Sequence, residues 1–181
     1  MTPRFKKAID TVISTHEGGF QKRTDDPGNY RDGVLVGTKF GISARTFRAV
    51  DIVNLTREQA EQIYYDHWGR FELLQDQRVL TKVLDLAVNL QFGGHGPATL
   101  ILQKSVNACG GECTEDSAFG PETAKWANAC ASQDNLLEAI CLEAADFYAK
   151  IEASHPEEHA WFANWNNRAE WVPPLEKAAT A

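Results

Sequence analysis

Four acidic residues near the amino terminus have the types and spacing that acid–base chemistry needs. Glu17 comes four residues after Ile13 and eight after Ile9, so helical spacing places its carboxyl group on an apolar helix face, in the last turn. Burial and the negative end of the helix dipole both favour a protonated carboxyl there. A proton-donating carboxyl paired with a second, ionised carboxylate is the arrangement that glycoside hydrolysis uses.

The second carboxylate has three candidates, because the loop after Glu17 contains Asp25, Asp26 and Asp32. A structural interpretation competes with the catalytic one. A glutamate before two glycines is commonly a solvated helix end, and loop aspartates commonly form turns. Composition and spacing leave both interpretations open.

The element that carries Glu17 is predicted to be a helix over residues 4–17, with Gly18-Gly19 at its C-terminal end. Turn residues surround a short apolar run at 34–36, which predicts a small antiparallel sheet between residues 20 and 42. The predicted fold class is therefore α+β, predominantly α-helical, with a small β-hairpin or sheet after the first helix.

The rest of the chain is predicted to be helical. Thr56 begins a capping box, and residues 78–92 are apolar nearly all round, which is typical of a central buried helix. A long helix is predicted over residues 136–151. Pro97 and Pro121 suit the first turns of two further helices.

Composition limits the class of function. The 181 residues are 43% hydrophobic, which is enough for one core, and the formal net charge is −7. Nucleic-acid binding needs a clustered basic face, and no Lys/Arg block occurs. No window reaches the roughly 18 apolar residues of a membrane span, and Asp10 interrupts the N-terminal apolar run that a signal peptide would need. We therefore expect synthesis in the cytoplasm.

The four cysteines are Cys109, Cys113, Cys130 and Cys141. Three residues separate the first two, and these supply no second pair of metal ligands, so the spacing does not predict a zinc site. We expect thiols that are buried or in loops, no metal and no cofactor. Disulfides are the alternative if the protein works in an oxidising compartment.

Four segments of the first half form an ordered pattern: HEGGF at 16–20, DPG at 26–28, GTKFGIS at 37–43 and YYDHW at 64–68. Together they resemble the glycoside hydrolase family 108 muramidases, which are phage endolysins and related secretion-associated lysozymes. Two features depart from the family pattern. Phe20 stands where Tyr is more usual, and Asn29 with a longer insertion at 30–37 replaces a compact Gly-Gly turn.

The second half resembles the predicted peptidoglycan-binding region that accompanies this family. The matching segments are DLAVN at 85–89, LQ at 102–103, FGPET at 119–123 and WNNR at 165–168. The resemblance implies a lysozyme-like fold with a catalytic region at 1–95 and a peptidoglycan-binding helical region at 96–181, packed as one compact unit.

For activity, the resemblance implies an N-acetylmuramidase that cleaves the β-1,4 bond between N-acetylmuramic acid and N-acetylglucosamine, with Glu17 as the essential acid. Asp26 and Thr38 are the candidates for holding or activating a water. An inverting reaction would follow, with carboxyl groups roughly 6.5–9.5 Å apart, whereas about 5 Å would imply a covalent intermediate. Asp25 as the active carboxylate, and Asp26 as a turn former only, stay open.

Aromatic and amide side chains are candidates for sugar contacts. The predicted substrate-binding residues are Tyr64, Asn89, Gln91, Gln103, Trp165 and Asn166. Trp68 and Trp161 are assigned to the core, since Trp at helical spacing is more often buried. The polar pair Asp85 and Asn89 must find buried partners or line the cleft. Arg168 is expected to brace the fold by pairing with a carboxylate.

Three other functions compete with this hypothesis: a lytic transglycosylase, a chitinase, and a non-catalytic wall-binding module. We expect a monomer whose partner is bacterial peptidoglycan and not nucleic acid. Without an export signal or a transmembrane segment, it would act in the periplasm or cell wall after release by a holin-type lesion or a secretion machine.

Overall fold

The computed structural model describes residues 1–90, 93–155 and 159–175, and of residues 159–162 it describes the backbone only. Two predicted residues, Gln91 as a sugar contact and the Trp161 side chain as part of the core, lie outside this description. The chain forms two compact units, Met1–Gly69 and Arg70–Ala181. No helix among the described residues is long and apolar enough to cross a membrane.

The first unit has two α-helices. α1 spans Pro3–Val12, with the Thr2 hydroxyl accepting from the backbone N–H of Phe5 at 3.2 Å, and it continues as a π-helical turn over Ile13–Glu17. α2 spans Arg57–Trp68 and opens with the predicted capping box at Thr56. The two helices pack together, and their facing side chains form a core. That core includes Phe5, Ala8, Ile9, Val12, Ala60 and Tyr64.

Five two-residue strands lie between the helices. They are β1 (Phe20–Gln21), β2 (Tyr30–Arg31), β3 (Val34–Leu35), β4 (Thr38–Lys39) and β5 (Ile42–Ser43). β1, β4 and β5 form one antiparallel sheet in that order, and β2 and β3 form a hairpin. Asp32 and Gly33 join the hairpin with φ of +52° and +78°, the backbone that two-residue hairpin turns require. A short 3₁₀ turn, Pro27–Asn29, precedes β2.

The second unit contains five α-helices within its described residues, preceded by a 3₁₀ turn at Gly69–Leu73. They are α3 (Gln77–Leu90), α4 (Pro97–Ala108), α5 (Pro121–Ala129), α6 (Gln133–Ser154) and α7 (His159–Glu170). α3 is central, since every residue of Val79–Ala87 is buried and the helix packs against both α4 and α6. α6 also packs along α7.

A buried lysine joins α3 to the end of α7. The Lys82 ammonium donates to the carbonyls of Arg168, Ala169 and Trp171 at 2.7, 2.9 and 2.7 Å. The last carbonyls of a helix have no partner within the helix, so three of the acceptors at this end are satisfied by one cation. Burial lowers the pKa of Lys82.

Most predicted elements are present, and one boundary is wrong. The predominantly helical fold with small antiparallel strands after the first helix is confirmed, as are the capping box and both prolines in first helical turns. The first helix, predicted as α-helical over 4–17, is α-helical only to Val12. The end of the helix predicted over 78–92 lies outside the described residues, beyond Leu90.

Candidate active site

Glu17 lies at the end of the π-helical turn. The N–H of Gly18 donates to the carbonyl of Ile13 at 2.8 Å, which closes a five-residue turn, and Gly18 has φ of +59°. A π turn carries one more residue than an α turn, so Glu17 does not follow the α-helical spacing from Ile9 that the sequence prediction used. Its side chain is half-buried. Single π turns within α-helices are frequent at functional sites.

The Glu17 carboxyl group fits closely against Gly41, in the turn between β4 and β5. A Cβ atom on Gly41 would come within 2.9 Å of both Oε2 and Cγ of Glu17, and within 2.5 Å of the Tyr64 hydroxyl. Gly41 also has φ of +77°, a conformation that disfavours side chains. The Tyr64 hydroxyl donates to the carbonyl of Phe40 at 3.1 Å and so holds this turn. Backbone and a buried phenol therefore fix the surroundings of Glu17.

Asp26 forms the turn that its Asp-Pro-Gly sequence suggested. Its Oδ1 accepts from the backbone N–H of Gly28 at 2.8 Å, which caps the 3₁₀ turn, and its Oδ2 accepts from the Gln21 side-chain amide at 3.0 Å. The residue is half-buried. Both contacts use hydrogen-bond donors, which suits an ionised carboxylate because that group can only accept.

Gln21 connects the candidate residues, and the sequence analysis did not find it. Its amide exchanges hydrogen bonds with the buried side chain of Asn29, at 3.1 and 2.8 Å, in addition to its bond to Asp26. In the β1–β4 ladder, Gln21 is the partner of Thr38. β1 therefore begins two glycines after Glu17. It binds Asp26 through the Gln21 side chain and pairs with Thr38 through its backbone.

Thr38 carries a buried hydroxyl without a protein partner. Its Oγ1 has essentially no exposed surface and makes no hydrogen bond to any residue in the described part of the chain. Buried polar atoms nearly always have a partner, either from protein or from water. The hydroxyl is thus available to a small polar molecule such as a water.

The other two aspartates of the loop have arginine partners. Arg23 donates to both oxygens of Asp25, at 3.0 and 2.6 Å, and this contact lowers the pKa of the exposed Asp25. Arg48 forms an ion pair with Asp32. These contacts occupy the two carboxylates, and they favour Asp26 among the three candidates.

Two of the predicted sugar contacts are corrected because they are buried. Tyr64 is fully buried and packs on Trp68 at a centroid distance of 5.3 Å, so its ring cannot stack on a sugar. Gln103 is also buried. Its amide nitrogen lies 2.8 Å from Asp116 and 3.3 Å from the Ala118 carbonyl, and its oxygen accepts from the Ser117 N–H at 2.9 Å. Gln103 therefore holds the loop before α5. Burial of Trp68 was predicted and is confirmed.

The remaining sugar candidates lie in the second unit. Asn89 accepts from the Tyr148 hydroxyl at 2.8 Å, and the Trp165 ring stacks on the Tyr148 ring at 5.7 Å and 16°. Asn166 is half-buried on α7. A role of Asn89, Trp165 and Asn166 in sugar binding stays a prediction.

The polar residues of α3 find buried partners. Asp85 is fully buried, with its Oδ1 3.6 Å from Nε of Arg168, and the Arg168 guanidinium also lies 3.5 Å from the Asp85 carbonyl. The prediction that Arg168 braces the fold through a carboxylate is confirmed. The sequence signal was the polar residue on an otherwise apolar helix.

The four cysteines are free thiols. Burial raises the pKa of Cys113, Cys130 and Cys141, which favours their protonated thiol form. Within the described ranges, no cluster of three or more His, Cys, Asp or Glu side chains could hold a metal ion.

Two family models match consecutive parts of the chain. Residues 11–90 match glycosyl hydrolase 108, and residues 97–170 match the family described as Predicted Peptidoglycan domain. The chain contains a glycosyl hydrolase 108 domain at residues 11–90. It is therefore a glycoside hydrolase that acts on peptidoglycan. None of the curated proteins compared with the chain matches it.

A solved structure shares the fold. The structure of Brucella abortus SagA is similar to this chain with a TM-score of 0.62 and 23% identity, over 91% of this chain and 92% of that one. The predicted lysozyme-like α+β fold is confirmed. The glycosyl hydrolase 108 match ends at residue 90 and so includes α3, whereas the first compact unit ends at Gly69.

Proposed function

We propose that this glycosyl hydrolase 108 protein is an N-acetylmuramidase that hydrolyses the β-1,4 bond between N-acetylmuramic acid and N-acetylglucosamine, with Glu17 as the general acid. The observation that carries the proposal is the fit of the Glu17 carboxyl group against Gly41, where even a Cβ atom would lie 2.9 Å from Oε2. A carboxyl group held by rigid surroundings keeps its direction while substrate binds, and proton delivery to a glycosidic oxygen depends on that direction.

Asp26 and Thr38 are proposed to hold the attacking water. Each oxygen of Asp26 has one hydrogen-bond donor, which leaves lone pairs for a water. The Thr38 hydroxyl has no partner in the described part of the chain, and a hydroxyl can both donate and accept. Gln21 supports this pair because it binds Asp26 and faces Thr38.

The proposed reaction is a single inverting displacement. Glu17 gives its proton to the glycosidic oxygen as the bond from that oxygen to the anomeric carbon breaks. Water adds to the same carbon from the opposite face, and its proton passes to Asp26. One proton leaves Glu17 and one arrives at Asp26, so the two carboxyl groups exchange protonation states during turnover.

Product analysis tests this proposal. Purified peptidoglycan is digested with the wild-type protein and with Glu17→Gln, and the soluble muropeptides are identified by mass spectrometry. Reducing muramic acid ends, first released as the α anomer by NMR on a soluble oligosaccharide, are the expected products. Anhydro ends would show a lytic transglycosylase, and initial β anomer would show a retaining enzyme. Cleavage by correctly folded Glu17→Gln would refute the acid assignment.

A further inference from the structure

A cavity of about 490 Å³ lies in the first unit beside the Asp26 turn. Two of its lining residues, Asp25 and Pro27, flank Asp26 in the sequence. The opposite walls come from the β2–β3 hairpin, which carries Tyr30, and from the segment after β5, which carries Arg45. A ligand in this cavity would therefore lie beside the loop that carries the proposed water-binding aspartate.

The walls of the cavity are tied together by hydrogen bonds. The Tyr30 hydroxyl donates to the Thr24 carbonyl at 3.0 Å, and the Arg45 backbone N–H donates to the Gly28 carbonyl at 3.0 Å. The guanidinium of Arg31 donates to the carbonyls of Phe47 and Val50, at 3.2 and 2.8 Å. These bonds join the Asp26 loop, the hairpin and the segment after β5, so the cavity is preformed.

One positively charged side chain at the cavity, that of Arg45, has no acidic partner among the described residues. Asp25 is paired with Arg23, and Asp32 is paired with Arg48. The Arg45 side chain is exposed and makes no hydrogen bond or ion pair with any described residue. The cavity thus offers one uncompensated guanidinium within a chain whose formal net charge is −7. Such a local positive charge favours an anionic group that the rest of the protein repels.

We propose that this cavity is a subsite for a carboxylate carried by the muramic acid residue of the substrate, with Arg45 as its binding residue. The inference rests on the proposed muramidase function. A guanidinium binds a carboxylate through two parallel N–H bonds, and the carboxylate belongs either to the lactyl group of muramic acid or to the peptide attached to it. A glycan of N-acetylglucosamine alone has no such group, so Arg45 selects muramic acid over it.

Binding measurements on a non-cleaving protein test the proposal. Calorimetric titrations of Glu17→Gln use three soluble ligands: an N-acetylglucosamine oligosaccharide, a muramic acid oligosaccharide without peptides, and the same oligosaccharide with peptides. Adding Arg45→Gln should weaken binding of carboxylate-bearing ligand roughly tenfold, the usual value of a charge-assisted pair, and leave the neutral oligosaccharide unchanged. Attachment of the peptide converts the lactyl carboxylate to an amide. Loss with the peptide-free muramic ligand alone therefore identifies the lactyl carboxylate, loss with the peptide-bearing ligand alone identifies a peptide carboxylate, and loss with both shows that Arg45 accepts either.

Lys7→Gln is the matched control, because it removes one exposed positive charge on α1 outside the cavity. It should leave all three affinities unchanged, and Arg45→Lys should recover part of the lost affinity. Unchanged binding in Arg45→Gln, or an equal loss with all three ligands, would overturn the proposal. Failure of the muramidase assignment is seen separately, in the products that the wild-type protein releases from peptidoglycan.

Discussion

At the scale of single residues, the roles proposed for Glu17 and Asp26 predict different losses. Glu17→Gln removes the proton donor and should reduce clearing of purified peptidoglycan by several orders of magnitude, with thermal stability equal or higher. Asp26→Asn should lose roughly 10²–10⁴-fold, the contribution of a positioned base. Asn caps a turn about as well as Asp, so the turn at Gly28 should persist, as a thermal melt would show. A fully active Asp26→Asn would return Asp26 to a turn-forming role only.

Removing the Thr38 hydroxyl should lower activity without lowering stability. Thr38→Val removes a buried hydroxyl that has no protein partner in the described residues, so the free energy of unfolding should stay equal or rise. Turnover should fall about tenfold, the worth of one hydrogen bond to the attacking water. Thr38→Ser keeps the hydroxyl and is the control. Equal turnover in the Val and Ser variants would exclude Thr38 from the reaction.

Gly41 and Gly33 provide a matched pair of substitutions. Both have positive φ, at +77° and +78°, but a Cβ on Gly33 meets nothing within 4 Å. Gly33→Ala should therefore cost only backbone strain, about 1–2 kcal/mol, while Gly41→Ala adds overlap and should cost about 2–5 kcal/mol. Denaturant melts measure both costs. Only Gly41→Ala should also abolish activity, because its overlap is with Glu17 and Tyr64. Equal activity in the two variants would show that the close fit of Glu17 against Gly41 does not matter for the reaction.

At the scale of elements, the sequence predicted helices and turns well because their signals are local. Thr56 and Pro97 mark helix starts by rules that concern only neighbouring residues, and both were correct. The π-helical end of the first helix was missed, since five-residue turns have no such signal and the prediction assumed α spacing to Glu17. Gln21 was missed because its contacts depend on how strands β1 and β4 pair.

The hydrogen bonds to Asp116, in the loop before α5, predict that the free energy of unfolding falls in acid. The backbone N–H of Ala118 and the amide of Gln103 donate to Asp116 and lower the pKa of its carboxyl group. The folded chain therefore binds this proton less readily than the unfolded chain. The resulting stabilisation is present above the ordinary Asp range near pH 4 and is lost as pH falls through the lowered pKa.

Asp116→Asn keeps an acceptor for the Ala118 N–H but does not titrate. The free energy of unfolding of the wild-type protein should therefore fall more steeply below about pH 4 than that of the variant. Urea melts between pH 2 and 6 measure the two slopes. Parallel curves would show that the Asp116 contacts do not contribute to the pH dependence of stability.

The contacts of Lys82 with the end of α7 should contribute measurably to the stability of the fold. Lys82→Met keeps an unbranched apolar chain but leaves three carbonyls without their donor, which should destabilise the fold by about 1–3 kcal/mol. Lys125→Met, at an exposed position on α5, is the control and should change stability little. A stability of Lys82→Met equal to the control would mean that other groups satisfy those carbonyls.

At the scale of the whole molecule, the compact units and the family matches divide the chain at different places. The glycosyl hydrolase 108 match ends at residue 90, after α3, yet α3 packs against α4 and α6 of the second unit. A fragment of residues 1–90 would expose the buried residues Val79–Ala87, whereas a fragment of 70–181 keeps α3 with its partners.

We therefore expect fragment 70–181 to fold and to melt cooperatively by circular dichroism, and fragment 97–181 to lose that cooperativity because its core lacks α3. Fragment 1–90 should aggregate more readily than fragment 1–69, since it carries an uncovered apolar helix. Cooperative melting of fragment 97–181 would show that the family boundary is also a folding boundary.

The π-helical turn at Ile13–Glu17 holds one residue more than an α turn that closes on the same carbonyl. Deleting one residue, such as the exposed Thr15, would let the Gly18 N–H close an ordinary α turn on the Ile13 carbonyl. Glu17 directly precedes Gly18, so its carboxyl group would stay against Gly41. Loss of the Thr15 codon should thus leave a folded and active enzyme, which would mark the extra residue as an insertion that the fold absorbs without moving its proposed acid.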